Sequence, residues 1–332
     1  MKRVLLIHTG GTLAMVGEPL EPDAFASALT ERVPELEEIA SLDSRTIASL
    51  DSSDVGPEVW TQLVGIIEET HGRYDGYVIV HGTDTMPYTA SALSFALTGL
   101  DRPIVLTGAQ RPLAALRTDA RRNLTDAVEL ATCDIPEVGI CFDGQLLRGC
   151  RTVKNNAVHY HAFECVGDEP LARMGVNIEI SDRVRKPSLP FMADGRFDDA
   201  VAVITMTPAL DPGILEHILA PPALRGVVLV AFGLGTVPTK TRPMHPVFER
   251  AIARGVDVVA VTQSAGTIDL SLYANSRLLH EVGVLSGGAM TMEAAYVKLM
   301  HAMALYPSDR AARRRYMTWD VAGELTRGGR RA

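Results

Sequence analysis

Seven short runs of apolar, mostly β-branched residues punctuate the chain, at positions 4–7, 77–80, 104–106, 138–142, 200–204, 227–231 and 256–261. They are apolar at successive rather than alternate positions, the pattern of strands buried on both faces. Amphipathic stretches separate many of them. In residues 57–67, Val59, Leu63, Ile66 and Ile67 share one helical face, and Pro57 suits a first turn, where a missing N–H costs nothing. Residues 246–253 read likewise, with Gly255 as the stop. Strand–helix–strand alternation predicts an α/β protein of two doubly wound units with mainly parallel sheet. The rhythm breaks across 187–199, where Pro187, Pro190 and Gly195 interrupt it, and restarts near Ala200. A larger N-terminal domain at 1–186, a linker at 187–199 and a smaller C-terminal domain at 200–332 are expected.

A length of 332 residues suits two such domains. The composition, 47% hydrophobic and 22% charged, is that of a folded chain. Lys and Arg number 32 against 40 Asp and Glu, a net charge of −8 that argues against binding nucleic acid or an anionic membrane. The one basic concentration, from Arg310 to Arg331, reads as a solvated terminal helix and fringe. No stretch of 18 apolar residues occurs, and the four apolar residues at 4–7 are too few for a secretory core. Cys133, Cys141, Cys150 and Cys165 have no CxxC spacing and are expected to be reduced packing residues in a cytoplasmic protein.

Ligands of open α/β sheets bind beyond the carboxyl ends of the strands. Three such ends are rich in glycine and polar groups: Thr9-Gly10-Gly11-Thr12, His81-Gly82-Thr83-Asp84-Thr85 and Thr107-Gly108-Ala109-Gln110-Arg111-Pro112. Neither a phosphate-binding GxxxxGK[ST] loop nor a full GxGxxG is present, and Gly233-Leu234-Gly235 reads as a tight turn. HExxH is missing, His159-Tyr160-His161 lacks partners at ligand spacing, and Gln263-Ser264-Ala265-Gly266 lacks the leading glycine of a nucleophile elbow. Neither a metal nor a cofactor is expected.

The intact Thr9-Gly10-Gly11-Thr12-Leu13-Ala14 and His81-Gly82-Thr83-Asp84-Thr85-Met86 together resemble the paired signatures of the bacterial-type L-asparaginase family. Leu50-Asp51-Ser52-Ser53-Asp54, Gly108-Ala109-Gln110-Arg111-Pro112 and Arg151-Thr152-Val153-Lys154 fit the same family. Tyr88-Thr89-Ala90-Ser91 and Gly287-Gly288-Ala289-Met290-Thr291-Met292-Glu293 are similar to its cytosolic, type I branch. The resemblance runs from about residue 3 to about residue 325. It implies hydrolysis of L-asparagine to L-aspartate and ammonia without cofactor. Thr12 would be the nucleophile that forms an acyl-enzyme, with Thr83, Asp84 and Lys154 as the second catalytic group. A lysine desolvated beside a hydroxyl can serve as a base. Asp84 would hold the lysine, bind the substrate's α-amino group, or both. Which threonine attacks first stays open in the residues; acylation is assigned to Thr12. Substrate binding falls to Gly11, Ser52, Ser53, Gly82 and Ala109, Ser52 taking the α-carboxylate. The backbone N–H groups of Thr83 and Ala109 are candidates for the oxyanion. Family members are typically homotetramers, so a homo-oligomer, dimer or tetramer, is implied.

Three departures stand against the family pattern. A tyrosine on a loop after the first signature helps activate the nucleophile in relatives, yet residues 13–40 contain none, and 16–22 read as a shortened loop. Gly235-Thr236-Val237 lacks an asparagine often found there. Val153 replaces a threonine tied to allosteric response, so a hyperbolic asparagine saturation curve is expected. Two competing readings remain: a non-catalytic amino-acid-binding protein of the same fold, and an amidase subunit acting on a misacylated tRNA. The acidic balance weighs against the second. So does a start at the first strand, since such subunits carry an added N-terminal region. Glutamine is a candidate side substrate, because one methylene in a pocket is worth only about 1–3 kcal/mol.

Overall fold

The computed structural model describes residues 1–16, 21–22, 32–264 and 266–325. The shortened loop read at 16–22, much of the tyrosine-free stretch and the end of the basic tail lie in part outside the described residues. Backbone proximity divides the chain into two compact units, Met1–Gly195 and Arg196–Ala332.

In the first unit, β1 (Arg3–Gly10) is followed by β2 (Ser41–Leu50), α1 (Pro57–Thr70), β3 (Gly76–Val80), α2 (Met86–Ala96), β4 (Ile104–Thr107), α3 (Ala120–Leu130) and β5 (Val138–Phe142). Then come β6 (Gln145–Arg148), β7 (Thr152–Lys154), β8 (Phe163–Cys165), β9 (Ala172–Met174) and β10 (Ile178–Ile180). Eight of these strands form one sheet in the order β10-β9-β6-β5-β4-β3-β1-β2. The run from β5 to β2 is parallel, and the β5–β6, β6–β9 and β9–β10 pairings are antiparallel. Strands β1, β3 and β4 are buried from end to end apart from Arg3, so helices must cover both faces. On one side Val4, Leu6, Val78, Val80 and Val105 share a core with Leu124 and Val128 of α3. On the other, Trp60 of α1 donates its indole N–H to Thr89 of α2 at 3.0 Å.

The parallel frame matches the hydrophobic pattern, and two parts of the sheet do not. Strand β2 is an edge strand with mostly exposed polar residues, so it lacks the apolar run by which the others are read. The antiparallel arm begins at Asp143-Gly144, whose φ angles of 48° and 73° make the two-residue turn that returns the chain as β6. Residues 189–195 run against this unit: the Asp194 N–H donates to Ala96 O at 2.9 Å and the Thr61 hydroxyl to Gly195 O at 2.6 Å.

The second unit repeats the theme with β11 (Val201–Thr205), α4 (Pro212–Leu219), β12 (Gly226–Ala231), α5 (His245–Ala253), β13 (Asp257–Thr262), α6 (Ala274–Glu281) and β14 (Leu285–Ser286). Helices α7 (Met292–Leu305) and α8 (Arg310–Thr318) complete it. Its sheet is parallel throughout, ordered β11-β12-β13-β14. Helix α4 starts at Asp211, whose carboxylate accepts from Gly213 N–H at 2.8 Å, and Pro212 fills the first position. Buried Asp257 accepts from Arg310 and Arg313, both at 2.8 Å, and Lys298 pairs with Glu324 where neither side chain reaches solvent.

Candidate active site

The carboxyl ends of β1, β2, β3 and β4 lie side by side in the sheet, so the turns that leave them meet. Glycine lets them meet closely. At Gly11, φ is +90°, and a Cβ there would stand 2.4 Å from Gly82 N, so the turn after β1 rests on the turn after β3 backbone to backbone. A Cβ on Gly82 would in turn sit 2.6 Å from Ser52 Cβ, in the turn after β2. Any side chain at either position would force the three turns apart. The contact explains why Gly11, Gly82 and Ser52 fall together although the sequence spreads them over some seventy residues.

Thr12 opens a short 3-10 turn directly after this contact and is partly exposed. The carbonyl of the next residue, Leu13, accepts from Leu113 N–H at 3.3 Å, which ties the turn to the segment after β4. Ser52 is buried, 3% exposed, and its carbonyl accepts from the Thr85 hydroxyl at 2.5 Å. Ser53 behaves differently: its N–H and hydroxyl both donate to Asp51 Oδ1, at 2.8 and 2.7 Å, closing a local turn. The Ser53 hydroxyl, with its N–H, holds the Asp51 carboxyl below its ordinary range.

Lys154, the last residue of β7, brings the polar groups together. Its Nζ donates to Thr83 Oγ1 at 2.7 Å and to Asp84 Oδ1 at 2.6 Å. The lysine side chain is 13% exposed and that of Asp84 68% exposed. The ammonium end is thus largely withdrawn from water while the carboxylate faces out, where a cationic group of a ligand could reach it. Thr83 is buried, and its hydroxyl also lies 3.4 Å from Gln110 Oε1.

Buried side chains hold these turns from within the unit. His81 is fully buried, with Nδ1 2.7 Å from Gly82 O and Nε2 2.9 Å from Thr89 Oγ1. Burial lowers its pKa to about 4, so it stands as a neutral ring holding the start of the β3 turn. Ala109 is buried between two clamped neighbours. Asn123 Nδ2 donates to Gly108 O at 3.0 Å, and the Asp119 carboxylate accepts the N–H groups of Gln110, at 2.9 Å, and Arg111, at 3.1 Å. The Ala109 N–H is therefore fixed in direction from both sides. Asp119 and Asn123 were not singled out from the sequence. They sit four residues apart at the start of a helix, one face of it, and that spacing was the available signal.

All nine residues expected at the site, Gly11, Thr12, Ser52, Ser53, Gly82, Thr83, Asp84, Ala109 and Lys154, belong to the first unit. Thr83, Asp84 and Lys154 are bonded to one another, Gly11, Gly82 and Ser52 are packed together, and Ser53 is turned toward Asp51. A hydroxyl beside a withdrawn lysine, fixed N–H groups and an outward carboxylate are the parts needed for attack on a carbonyl derivative of a zwitterionic molecule. Among the described residues no group of three or more His, Cys, Asp or Glu is arranged to hold a metal ion, and no helix is long and apolar enough to cross a membrane.

Comparison with known proteins places the chain among relatives along nearly its whole length. Residues 3–186 match the family described as Asparaginase, N-terminal, and residues 200–317 match the Glutaminase/Asparaginase C-terminal domain. The chain is 32% identical over 341 residues to L-asparaginase 1 of Escherichia coli (strain K12), covering 98% of each. It is 36% identical over 282 residues to an L-asparaginase of Dirofilaria immitis; that match takes in 83% of this chain and 48% of the relative, so the chain spans about half of that protein's length. One component of the Glutamyl-tRNA(Gln) amidotransferase of Pyrococcus horikoshii is 32% identical, covering 97% of this chain and 76% of the relative. Among solved structures, L-asparaginase I from Vibrio cholerae superposes with a TM-score of 0.89 at 34% identity, covering 98% of this chain and 99% of that one.

Proposed function

The chain belongs to the asparaginase family, on its type I bacterial side, and on that premise we propose that it hydrolyses L-asparagine to L-aspartate and ammonia through an acyl-enzyme on Thr12. The observation that carries the reading is the Lys154 Nζ within 2.7 Å of Thr83 Oγ1 and 2.6 Å of Asp84 Oδ1.

Thr12 Oγ1 attacks the side-chain amide carbon, its proton passes to the departing nitrogen, and the C–N bond breaks to release ammonia. Water then attacks the resulting ester, giving aspartate and restoring the hydroxyl. The Thr83–Lys154 pair takes and returns protons. The N–H groups of Thr83 and Ala109 stabilise the oxyanion, a contribution worth about 100- to 1000-fold per donor. Ser52 and Gly82 receive the α-carboxylate, Gly11, whose N–H is held by Leu50 O at 3.0 Å, and Ser53 lend the shape of their turns, and Asp84 receives the α-amino group. No cofactor takes part. L-Glutamine is a weak side substrate, the protein acts in the cytoplasm as a homo-oligomer, dimer or tetramer, and residues 187–199 serve as the linker between its two domains.

The absence of tyrosine from residues 13–40 supports a second reading, a non-catalytic amino-acid-binding protein of this fold. One experiment separates them: ammonia release from L-asparagine, with L-glutamine beside it and Thr12→Ala as control. Release that the substitution abolishes supports hydrolysis. Calorimetric binding of asparagine with no release, in a well-folded sample, selects the binding protein.

A further inference from the structure

Gln110 makes contacts that the mechanism above leaves unused. Its main chain is immobilised, because the N–H is held by both oxygens of Asp119, at 2.9 and 3.2 Å. Its side chain reaches two places at once. Nε2 lies 3.0 Å from His159 O and 3.4 Å from Asn156 O, while Oε1 lies 3.4 Å from Thr83 Oγ1.

The two ends of a carboxamide differ, one donating twice and the other only accepting. Turning the Gln110 amide over would set its oxygen against two carbonyl oxygens, so the network permits one orientation, with the oxygen toward Thr83. Thr83 has one proton and two lone pairs. Lys154 as an ammonium is a donor only, and at 2.7 Å it takes a lone pair of Thr83. The Thr83 proton must then point elsewhere, and Gln110 Oε1 is the acceptor facing it. At 3.4 Å that bond is long, as such bonds often are before substrate tightens a site.

We propose that Gln110 is a positioning residue for the reaction: it aims the Thr83 proton away from Lys154 in the resting enzyme and tethers, through Asn156 and His159, the segment that follows Lys154. One side chain thereby fixes the spacing of both members of the proton-handling pair. In the working step Thr83 accepts a proton from the attacking hydroxyl and passes its own to Lys154 as that lysine gives one to the departing nitrogen, so each group gains one proton and loses one. The inference rests on the proposed amidohydrolase reading.

The test compares Gln110→Met, which keeps the volume and removes both hydrogen-bonding ends, with Gln110→Glu, which keeps an oxygen toward Thr83 and removes the donors. Ammonia release is followed at varied L-asparagine, with melting temperatures measured alongside. For Gln110→Met, kcat is expected to fall about 10- to 100-fold with KM within about twofold, since loss of alignment acts on the chemical step. Gln110→Glu is expected to regain at least about fivefold of that loss. A wild-type kcat in Gln110→Met overturns the proposal. So does an equal loss in both variants that follows their melting temperatures, the mark of a purely structural tether. If Gln110→Met does not fold, the Glu variant decides alone: a KM near wild type with kcat reduced less than about tenfold is expected, and a kcat loss beyond that overturns the proposal. A wild-type protein that releases no ammonia instead removes the amidohydrolase reading itself.

Discussion

Lys154 and Lys298 each donate to a carboxylate, Asp84 in the first unit and Glu324 in the second, and their remaining partners differ. Lys298 also donates to the carbonyls of Trp319, at 2.5 Å, and Met317, at 3.3 Å. The Glu324 carboxylate, for its part, accepts from the N–H groups of Val321 and Ala322, at 3.0 and 2.8 Å. The two carbonyls and the carboxylate that Lys298 meets here are acceptors only. Lys154 instead shares its N–H bonds between a carboxylate open to solvent and a hydroxyl, which both donates and accepts. The difference lies in what surrounds the same two residue types: saturation with carbonyls makes a staple, and a hydroxyl in place of a carbonyl makes a site.

Exchanging the two lysines' fates is the sharpest way to break that comparison. Lys154→Met is expected to lower kcat about 1000-fold or more, in line with loss of a group essential to proton handling, while the melting temperature stays near wild type. Lys298→Met is expected to do the reverse. Stranding a buried carboxylate costs about 3–5 kcal/mol, read as a lower urea midpoint of the second unit, with kcat retained where the protein is folded. A Lys298 variant that keeps its stability would remove the staple from the account.

Acid should distinguish the units next. Burial lowers His81 and His8 to about 4 each, and the His8 ring nitrogens have no hydrogen-bond partner among the described residues. Both are near 6.5 in the unfolded chain, so between about 6.5 and 4 the unfolded state binds protons that the folded state refuses. Their contribution is therefore present above pH 6.5 and is lost as pH falls, up to about 3 kcal/mol for each ring. Urea midpoints at pH 7, 5.5 and 4.5 are expected to decline, with a shallower slope in His8→Leu. An unchanged slope in that variant would contradict the assignment.

A smaller effect is expected at the turns. Gly82→Ala sets a methyl group against Ser52, so kcat/KM should fall about 10- to 100-fold as the turns separate. Assays of Gly82→Ala beside Ser52→Ala would show whether the loss comes from the displaced serine: the double variant is then less than additive.

The parallel frame was legible because its strands are buried on both faces and so carry continuous apolar runs. Strand β2 was not, since an edge strand needs no such run, and β6 hangs on a two-residue turn at Asp143-Gly144 rather than on a helix. Within the site, Thr12, Ser52, Thr83, Asp84 and Lys154 were readable through family resemblance. Lys154 stands 71 positions from Thr83, and no local pattern announces their bond. Asp119, Asn123 and the tether made by Gln110 escaped because they act on backbone atoms, which every residue carries, and the four-residue spacing of Asp119 and Asn123 alone does not say what they hold.

The central claim is that Thr12 carries the acyl group while Thr83 and Lys154 handle protons. Rapid acid quenching of turnover with L-asparagine, followed by peptide mass mapping, tests it most directly. An aspartyl ester on the peptide containing Thr12, absent from Thr12→Ala, is the expected result. An ester on the peptide containing Thr83, or ammonia released by Thr12→Ala at the wild-type rate, would contradict it.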